Sequence, residues 1–145
     1  MSEDADVQAF LDAVTPPKRR RDARTLLDLM SRITGEKPHL YRSIVAFGTY
    51  SFRYASGREG VSAPAGFAPR KASMVIYLSD GVGAHASRLA RLGPHRTGVG
   101  CLYVTDLEAL DLDVLGQIIE ASFRTLTSGT YPLRAREGRE NSAQV

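Results

Sequence analysis

Cysteine occurs only once in this chain of 145 residues, at Cys101. An internal disulfide is therefore excluded, which fits a reducing compartment. No apolar run approaches the roughly 18 residues that a membrane-spanning helix needs. The first residues, MSEDADVQAF, are acidic and polar and do not follow the basic and then apolar order of a secretory signal. We therefore expect a cytoplasmic protein that does not interact with a membrane.

Motifs that carry known chemistry are also missing. The sequence contains no G-x-S-x-G, no H-E-x-x-H and no group of cysteines. Its three histidines, His39, His85 and His95, do not have the spacing of zinc ligands. Cys101 opens the apolar stretch CLYV, which favours a buried, unreactive thiol although His95 is six residues away. The sequence therefore indicates no particular reaction and no cofactor. Of the three hypotheses for function that the sequence allows, an enzyme that uses His95 as acid or base has the least support.

Acidic residues are scarce in the middle of the chain. Residues 53–96 contain seven Lys or Arg and two acids, whereas the rest of the chain contains twelve and fourteen. Such an asymmetry bears on binding partners rather than on the fold. It is weaker than the dense basic stripe of a DNA-binding domain, so we do not expect nucleic acid as a partner. The basic run at residues 18–21 is typical of a solvated helix turn.

Hydrophobic periodicity predicts a single α+β domain. Apolar residues at helical spacing predict helices at about 7–14, 17–33 and 111–126, with a shorter one at 84–92. Alternating or continuous apolar stretches predict strands at 43–55, 73–79 and 101–104. We expect a mostly antiparallel sheet of about four to five strands, flanked by the N-terminal and C-terminal helices. Residues 1–128 are expected to form this domain, and residues 129–145 a flexible tail.

Four ordered motifs carry a resemblance to a known family. FGxYxxxYxSGREG occupies residues 47–60, GFxPRK residues 66–71, LGxHxTG residues 92–98 and CLY residues 101–103. Together they resemble the YdhG-like domain family, small bacterial proteins of unknown function, over roughly residues 5–127. The resemblance implies a compact α+β fold and supplies no settled reaction.

The chain also departs from that family. The family commonly has Trp at the position of Tyr41 and Gly at that of Ala46. It commonly has Lys near positions 94 and 99, where this chain has Pro94 and Val99. Two positive charges are therefore missing from residues 92–100, which weakens an anion-binding role for that stretch.

The same resemblance implies a second hypothesis, because YdhG-like proteins are linked with frataxin-like iron handling. Such handling relies on exposed acids along a helix and a sheet edge, and carboxylates hold iron weakly. Acids at helix starts are also ordinary partners of the helix dipole, so both interpretations stay open. The acids concerned are Glu3, Asp4, Asp6, Asp12, Asp106, Glu108, Asp111 and Asp113.

Two glycine-rich stretches hold the candidate binding residues. SGREGVSAPAGFAPRKA (residues 56–72) and LGPHRTGVG (residues 92–100) combine permissive glycines with guanidinium groups suited to carboxylate or phosphate. If both loops lie at one end of the sheet, they form a cationic pocket with a tyrosine wall. The candidate residues are Tyr54, Arg58, Arg70, Lys71, Tyr77, His95, Arg96 and Thr97.

This arrangement gives the first hypothesis, a non-enzymatic module that binds a small anionic ligand or the acidic surface of a partner. The alternative is a structural clamp, in which Arg58 pairs with Glu59 or another acid and Arg70 bonds backbone carbonyls to hold the long loop down. A homodimer formed through a sheet edge or a helix face is left open.

Overall fold

Four helices and nine strands organise residues 2–133, the part of the chain that the computed structural model describes. A six-stranded sheet carries the helices, and a three-stranded sheet lies beside it. This is the single α+β domain that the periodicity predicts. Residues 134–145, most of the tail predicted to be flexible, lie outside the described residues.

The helices are α1 (Ser2–Asp12), α2 (Pro17–Thr34), α3 (Ala86–Leu89) and α4 (Leu112–Thr127). The apolar stripe of α2, including Leu26 and Met30, is buried, as its spacing predicts. Gly35 ends α2 with a left-handed φ of +69°. Asp111 begins α4 by accepting hydrogen bonds from the backbone N–H groups of Asp113 and Val114. None of the helices in residues 2–133 is long and apolar enough to span a bilayer.

The strands are β1 (Pro38–Tyr41), β2 (Ile44–Phe47), β3 (Tyr50–Tyr54), β4 (Glu59–Ser62), β5 (Ala65–Pro69), β6 (Met74–Tyr77), β7 (Arg96–Thr97), β8 (Cys101–Val104) and β9 (Tyr131–Leu133). The large sheet has the order β1-β2-β5-β6-β8-β7 and is antiparallel throughout. The small sheet has the order β4-β3-β9, with β9 parallel to β3. The strands predicted at 73–79 and 101–104 are confirmed as β6 and β8.

Strands β2 to β5 form one long hairpin that is interrupted in its middle. Phe47 pairs with Ala65 in the large sheet, and Tyr50 pairs with Ser62 in the small one. Between these pairs the chain passes through Gly48, whose φ is +75°. A residue with a side chain adopts that conformation only with strain, so glycine permits the ribbon to leave one sheet and enter the other.

The stretch 56–72 is therefore mostly strand, and its prediction as a long loop is wrong. Residues 59–62 and 65–69 are β4 and β5, so only the turns at its two ends and the two residues between the strands are irregular. The second stretch, 92–100, likewise contains β7. The sequence predicts four to five strands where the structure has nine, because short strands with glycine or proline are defined by their partners more than by their own propensity.

The helices cover one face of the large sheet. Phe47, Phe67, Ile76 and Leu102 are fully buried beneath them. The other face, which we call the open face, has only a shallow apolar layer of its own among the described residues. That layer consists of Ile44, Ala46, Ala68, Val75 and Cys101, with Ala63, Tyr77 and Tyr103 packed against it.

Only part of the basic run at the start of α2 is the solvated turn that the sequence predicts, since Lys18 and Arg21 are exposed and the other two are not. Arg19 is buried, and its Nη1 donates to the backbone carbonyls of Val104 (3.4 Å) and Thr105 (3.3 Å). Arg21 pairs with the buried Asp22, whose other carboxylate oxygen accepts from the backbone N–H of Leu107 at 3.0 Å. The run therefore ties α2 to the end of β8.

A buried polar cluster links the end of β6 to α4. The Asp80 carboxylate lies 2.9 Å from Nε2 of His85 and accepts a hydrogen bond of 2.6 Å from the Ser122 hydroxyl. All three residues are buried. The backbone carbonyl of Asp80 also accepts from the Tyr131 hydroxyl at 3.4 Å. Through its carboxylate and its backbone carbonyl, Asp80 thus joins the end of β6 to α4 and β9.

Candidate functional site

The open face is built from alternate residues of the antiparallel strands. Residues directly opposite each other share a face, so the pairs His39–Ala46 and Ala46–Gly66 set one row across β1, β2 and β5. Tyr77 lies opposite Cys101 on β6 and β8 and continues this row. Such alternation puts polar and aromatic groups on the face away from the helices.

A cavity of about 260 Å³ lies on this face, between the large sheet and the β3–β4 hairpin. The cavity extends down to the sheet backbone at Ala46 and Gly66, because these residues have little or no side chain. Tyr41 and Val61 are the most exposed of its apolar lining groups, at 44% and 66%. The full lining is His39, Tyr41, Ile44, Ala46, Gly48, Thr49, Val61, Ser62, Ala63, Gly66, Tyr77 and Ser79.

Hydroxyl groups lie at the hairpin end of the cavity. The buried Tyr50 hydroxyl forms hydrogen bonds with the side chains of Ser79 and Ser62, both of which line the cavity. Burial raises the pKa of Tyr50 above its usual value, and these hydrogen bonds only partly oppose the rise. Tyr50 is therefore a neutral phenol at physiological pH. The cavity consequently has a polar but uncharged end.

Arg70 stands at the other margin of the cavity. Its guanidinium contacts the hydroxyl of Ser43 and forms a hydrogen bond with the hydroxyl of Tyr77. Burial raises the pKa of Tyr77, and the hydrogen bond and positive charge of Arg70 lower it by a smaller amount. Tyr77 lines the cavity and Ser43 precedes Ile44, which also lines it. Arg70 thus brings a positive charge to an otherwise uncharged apolar site.

Two further arginines of the open face lie over tyrosine rings. Arg96 on β7 is directly opposite Tyr103 on β8, and its guanidinium carbon is 5.2 Å from the ring centroid. Arg42, in the two-residue turn between β1 and β2, lies 5.3 Å from the ring centroid of Tyr41. Arg42 has a φ of +57°, a conformation that turns usually reserve for glycine or asparagine. Both pairs have cation–π geometry.

The structure does not gather the predicted binding residues into one pocket. Arg58 lies at the tip of the β3–β4 hairpin over its neighbour Tyr54, 4.4 Å from the ring centroid. Glu59 pairs with Arg53 and not with Arg58, so that part of the predicted clamp is wrong. Lys71 is exposed in the β5–β6 turn. Arg70, at the far end of β5 from this tip, bonds side chains and not the carbonyls expected of a clamp.

The second predicted stretch lies at the edge of the large sheet. Arg96 and Thr97 form β7, which is three strands away from β5, and Arg70 directly follows β5. Three strand spacings correspond to about 14 Å. His95 precedes them, and its Nδ1 is 2.7 Å from the carbonyl oxygen of Gly93. Of the eight predicted residues, the structure brings together Arg70 with Tyr77 and Arg58 with Tyr54.

Some cations of the protein pair with acids, and the three arginines of the open face are among those that do not. Lys18, Arg21, Arg24 and Arg124 all pair with acids within the helical layer and its adjoining segments. Arg53 pairs with an acid in the hairpin. Within residues 2–133, no ion pair to Asp or Glu includes Arg42, Arg70 or Arg96. Three positive charges of the open face therefore have no acidic partner within the described residues, as is also true of Arg32, Arg88 and Arg91 elsewhere.

Several acids named for iron binding already have partners, and the single cysteine is unreactive. Cys101 is buried, and burial raises the pKa of its thiol to about 11, which leaves almost no thiolate at neutral pH. Asp111 and Asp106 accept backbone N–H groups at helix starts, and Asp12 pairs with Arg24. No three His, Cys, Asp or Glu side chains within the described range come together as metal ligands do. The side chains of Glu3 and Asp4 lie outside that range.

Four residues of the open face were not predicted from the sequence as binding residues. Tyr41, Arg42 and Tyr103 were not among the candidates, nor was His39. The available signal was strand alternation: Cys101 and Tyr103 have the same parity within CLYV and therefore share a face. Whether this shared face points toward the helices or away from them depends on the order of the strands, which the sequence alone does not show.

No family model, no curated protein and no solved structure matched this chain.

Proposed function

We propose that the protein is a non-enzymatic binding module whose open face holds an anionic ligand. The ligand's apolar body occupies the cavity beside β1, β2, β5 and β6, and its negative charge lies against Arg70. The observation that carries this proposal is that Arg70 bonds Tyr77, which lines an apolar cavity, and contacts only neutral groups, Ser43 and Tyr77, among the described residues. A guanidinium in such a position is suited to carboxylate or phosphate.

The volume of the cavity limits the size of the ligand. An apolar cavity of roughly 150 Å³ holds benzene, so 260 Å³ accommodates a single ring or a small fused ring with a charged substituent. The motif GFxPRK, on which the resemblance to the YdhG-like family partly depends, contains both Gly66 of the cavity floor and Arg70. The resemblance itself stays a proposal.

Benzoate and its neutral analogue benzamide test this proposal as a matched pair. Benzoate is expected to raise the melting temperature in a concentration-dependent way, because it binds only the folded state. Benzamide fills the same volume without a charge and is expected to raise it much less. Arg70→Gln is expected to weaken benzoate binding by about 10- to 150-fold, since a hydrogen bond to a charged group contributes roughly 1.5–3 kcal/mol.

Arg124→Gln is the control, because Arg124 is an exposed arginine of α4 that pairs with Glu120. It is expected to bind benzoate as the unmodified protein does. Equal effects of benzoate and benzamide, or unchanged benzoate binding by Arg70→Gln, would contradict the proposal.

A further inference from the structure

We propose that the anionic ligand of the open face is a single-stranded nucleic acid, with one base in the cavity, another stacked on Tyr103 and phosphates at Arg42, Arg70 and Arg96. This inference rests on the proposed function, since it keeps the open face as an anion site and adds the class of ligand. It also revises the expectation, drawn from the modest net charge, that nucleic acid is not a partner.

The spread of the cations favours an extended ligand over a small one. Arg42 lies in the β1–β2 turn, Arg70 at the end of β5 and Arg96 on β7. Across the strand order, the first and last are four to five strand spacings apart, about 20 Å. A small anion contacts one of these guanidinium groups at a time, whereas an extended polyanion contacts all three.

The partners of the cations favour a ligand that also contains aromatic rings. Each of the three arginines lies against a tyrosine: Arg42 on Tyr41, Arg70 at Tyr77 and Arg96 on Tyr103. An acidic protein surface needs only the charges. Nucleic acids use both groups, because bases stack on tyrosine rings and guanidinium planes while phosphates accept hydrogen bonds from arginine.

The positions of two tyrosines suit neighbouring bases. Tyr77 on β6 pairs with Cys101 on β8, and Tyr103 is two residues further along β8. The two tyrosines are therefore diagonal neighbours on one face, with about 7–8 Å between their positions. Sheets that recognise RNA stack two or three bases on aromatic side chains of adjacent strands in a comparable arrangement.

The cavity adds a place for one base. Its volume of about 260 Å³ exceeds that needed by a single ring, and both Tyr41 and Tyr77 line it. Ser62, Ser79 and His39 supply hydrogen-bonding groups around the rim, suited to the edge of a base. A base enters such a cavity only from a single strand, because the bases of a duplex are stacked and paired.

The test is fluorescence anisotropy with labelled oligomers of about eight nucleotides, oligouridylate and oligodeoxyuridylate, beside a duplex and inorganic polyphosphate of matched charge. We expect each single strand to bind at least tenfold more tightly than the duplex or the polyphosphate. The slope of log affinity against log salt is expected to be about −2, as three phosphate contacts predict. A difference between the two single strands reports recognition of the 2′-hydroxyl, and equal binding reports stacking and phosphate contacts alone. Either result supports the inference.

Matched variants locate the site. Tyr103→Ala is expected to weaken binding of the single strand by about 5- to 100-fold, the usual effect of removing a stacked ring. Tyr103→Phe keeps the ring and is expected to stay within about twofold, which separates stacking from any loss of folding. Arg96→Gln is expected to lower both affinity and the salt slope, whereas Arg124→Gln in α4 leaves both unchanged.

The outcomes separate this inference from the function on which it rests. Equal binding of polyphosphate and single strands, with no effect of Tyr103→Ala, overturns the nucleic-acid inference and leaves the anion site standing. Absence of binding by any oligonucleotide, while benzoate still binds at Arg70, does the same. If neither benzoate nor any oligonucleotide binds, both proposals are overturned.

Discussion

Replacing Asp80 by alanine is expected to destabilise the fold by about 3–5 kcal/mol. The change removes the acceptor of the buried Ser122 hydroxyl and the partner of His85 Nε2. Each buried polar group left without a partner costs roughly 1–3 kcal/mol, and breaking a buried pair from one side has a comparable or larger cost. His85 gains nothing in exchange, since its Nδ1 also has no partner in the described part of the chain.

Urea unfolding at constant m-value measures this effect. Asp80→Asn is the informative companion, because its amide keeps the shape and one acceptor oxygen, so a smaller loss is expected. Asp12→Ala is the matched surface control: Asp12 pairs with Arg24 but is 69% exposed, and such pairs contribute at most about 1 kcal/mol. A loss below about 1 kcal/mol for Asp80→Ala would show that this cluster does not hold β6 and α4 together.

Ala46→Leu is expected to abolish benzoate binding while leaving the protein folded. Ala46 lies on the cavity floor, and a leucine there adds three carbon atoms to the space that the ligand's ring needs. Overpacking usually destabilises a filled core, but this side chain grows into an existing cavity, so the free energy of unfolding is expected to change by less than about 1.5 kcal/mol.

Isothermal titration with benzoate, beside an unfolding curve, checks both halves of this prediction. Ala86→Leu makes the same substitution at an exposed position of α3 and is expected to bind benzoate normally. If Ala46→Leu is folded and binds benzoate as tightly as the unmodified protein, the ligand does not occupy this cavity.

The sequence was most informative where periodic segments are long. The helical spacing from Leu115 to Leu126 predicts a helix over residues 111–126, within a residue of the observed ends of α4, because a buried stripe acts over a whole helix. The apolar stretch SMVIYLS likewise predicts β6. In both cases the local pattern and the tertiary packing demand the same structure.

The short strands were beyond the reach of the sequence. β7 has two residues and β4 contains Gly60, so neither shows a hydrophobic pattern of its own. Such strands form because an adjacent strand supplies backbone hydrogen-bond partners, and the sequence alone does not show which strands are adjacent. The same limit explains the misread stretch at 56–72.

For the candidate site, the sequence predicted which residues take part better than it predicted where they lie relative to one another. Arg70, Tyr77 and Arg96 were selected for their chemistry, and all three lie on the open face. Their predicted convergence into one pocket depended on strand order, and β5 and β7 are three strands apart. Tyr41 and Tyr103 were missed because the facing of a strand residue depends on register, which a single sequence does not supply.

The most direct test of the open face as a ligand site is a benzoate titration followed by the backbone amide signals in a two-dimensional nitrogen–proton NMR spectrum. We expect the signals that shift to belong to the strands around the cavity, with those of Ala46, Gly66 and Tyr77 among the largest shifts, and the signals of α1, α2 and α4 to stay in place. Shifts centred on the helical layer, or spread evenly over the chain, would contradict it.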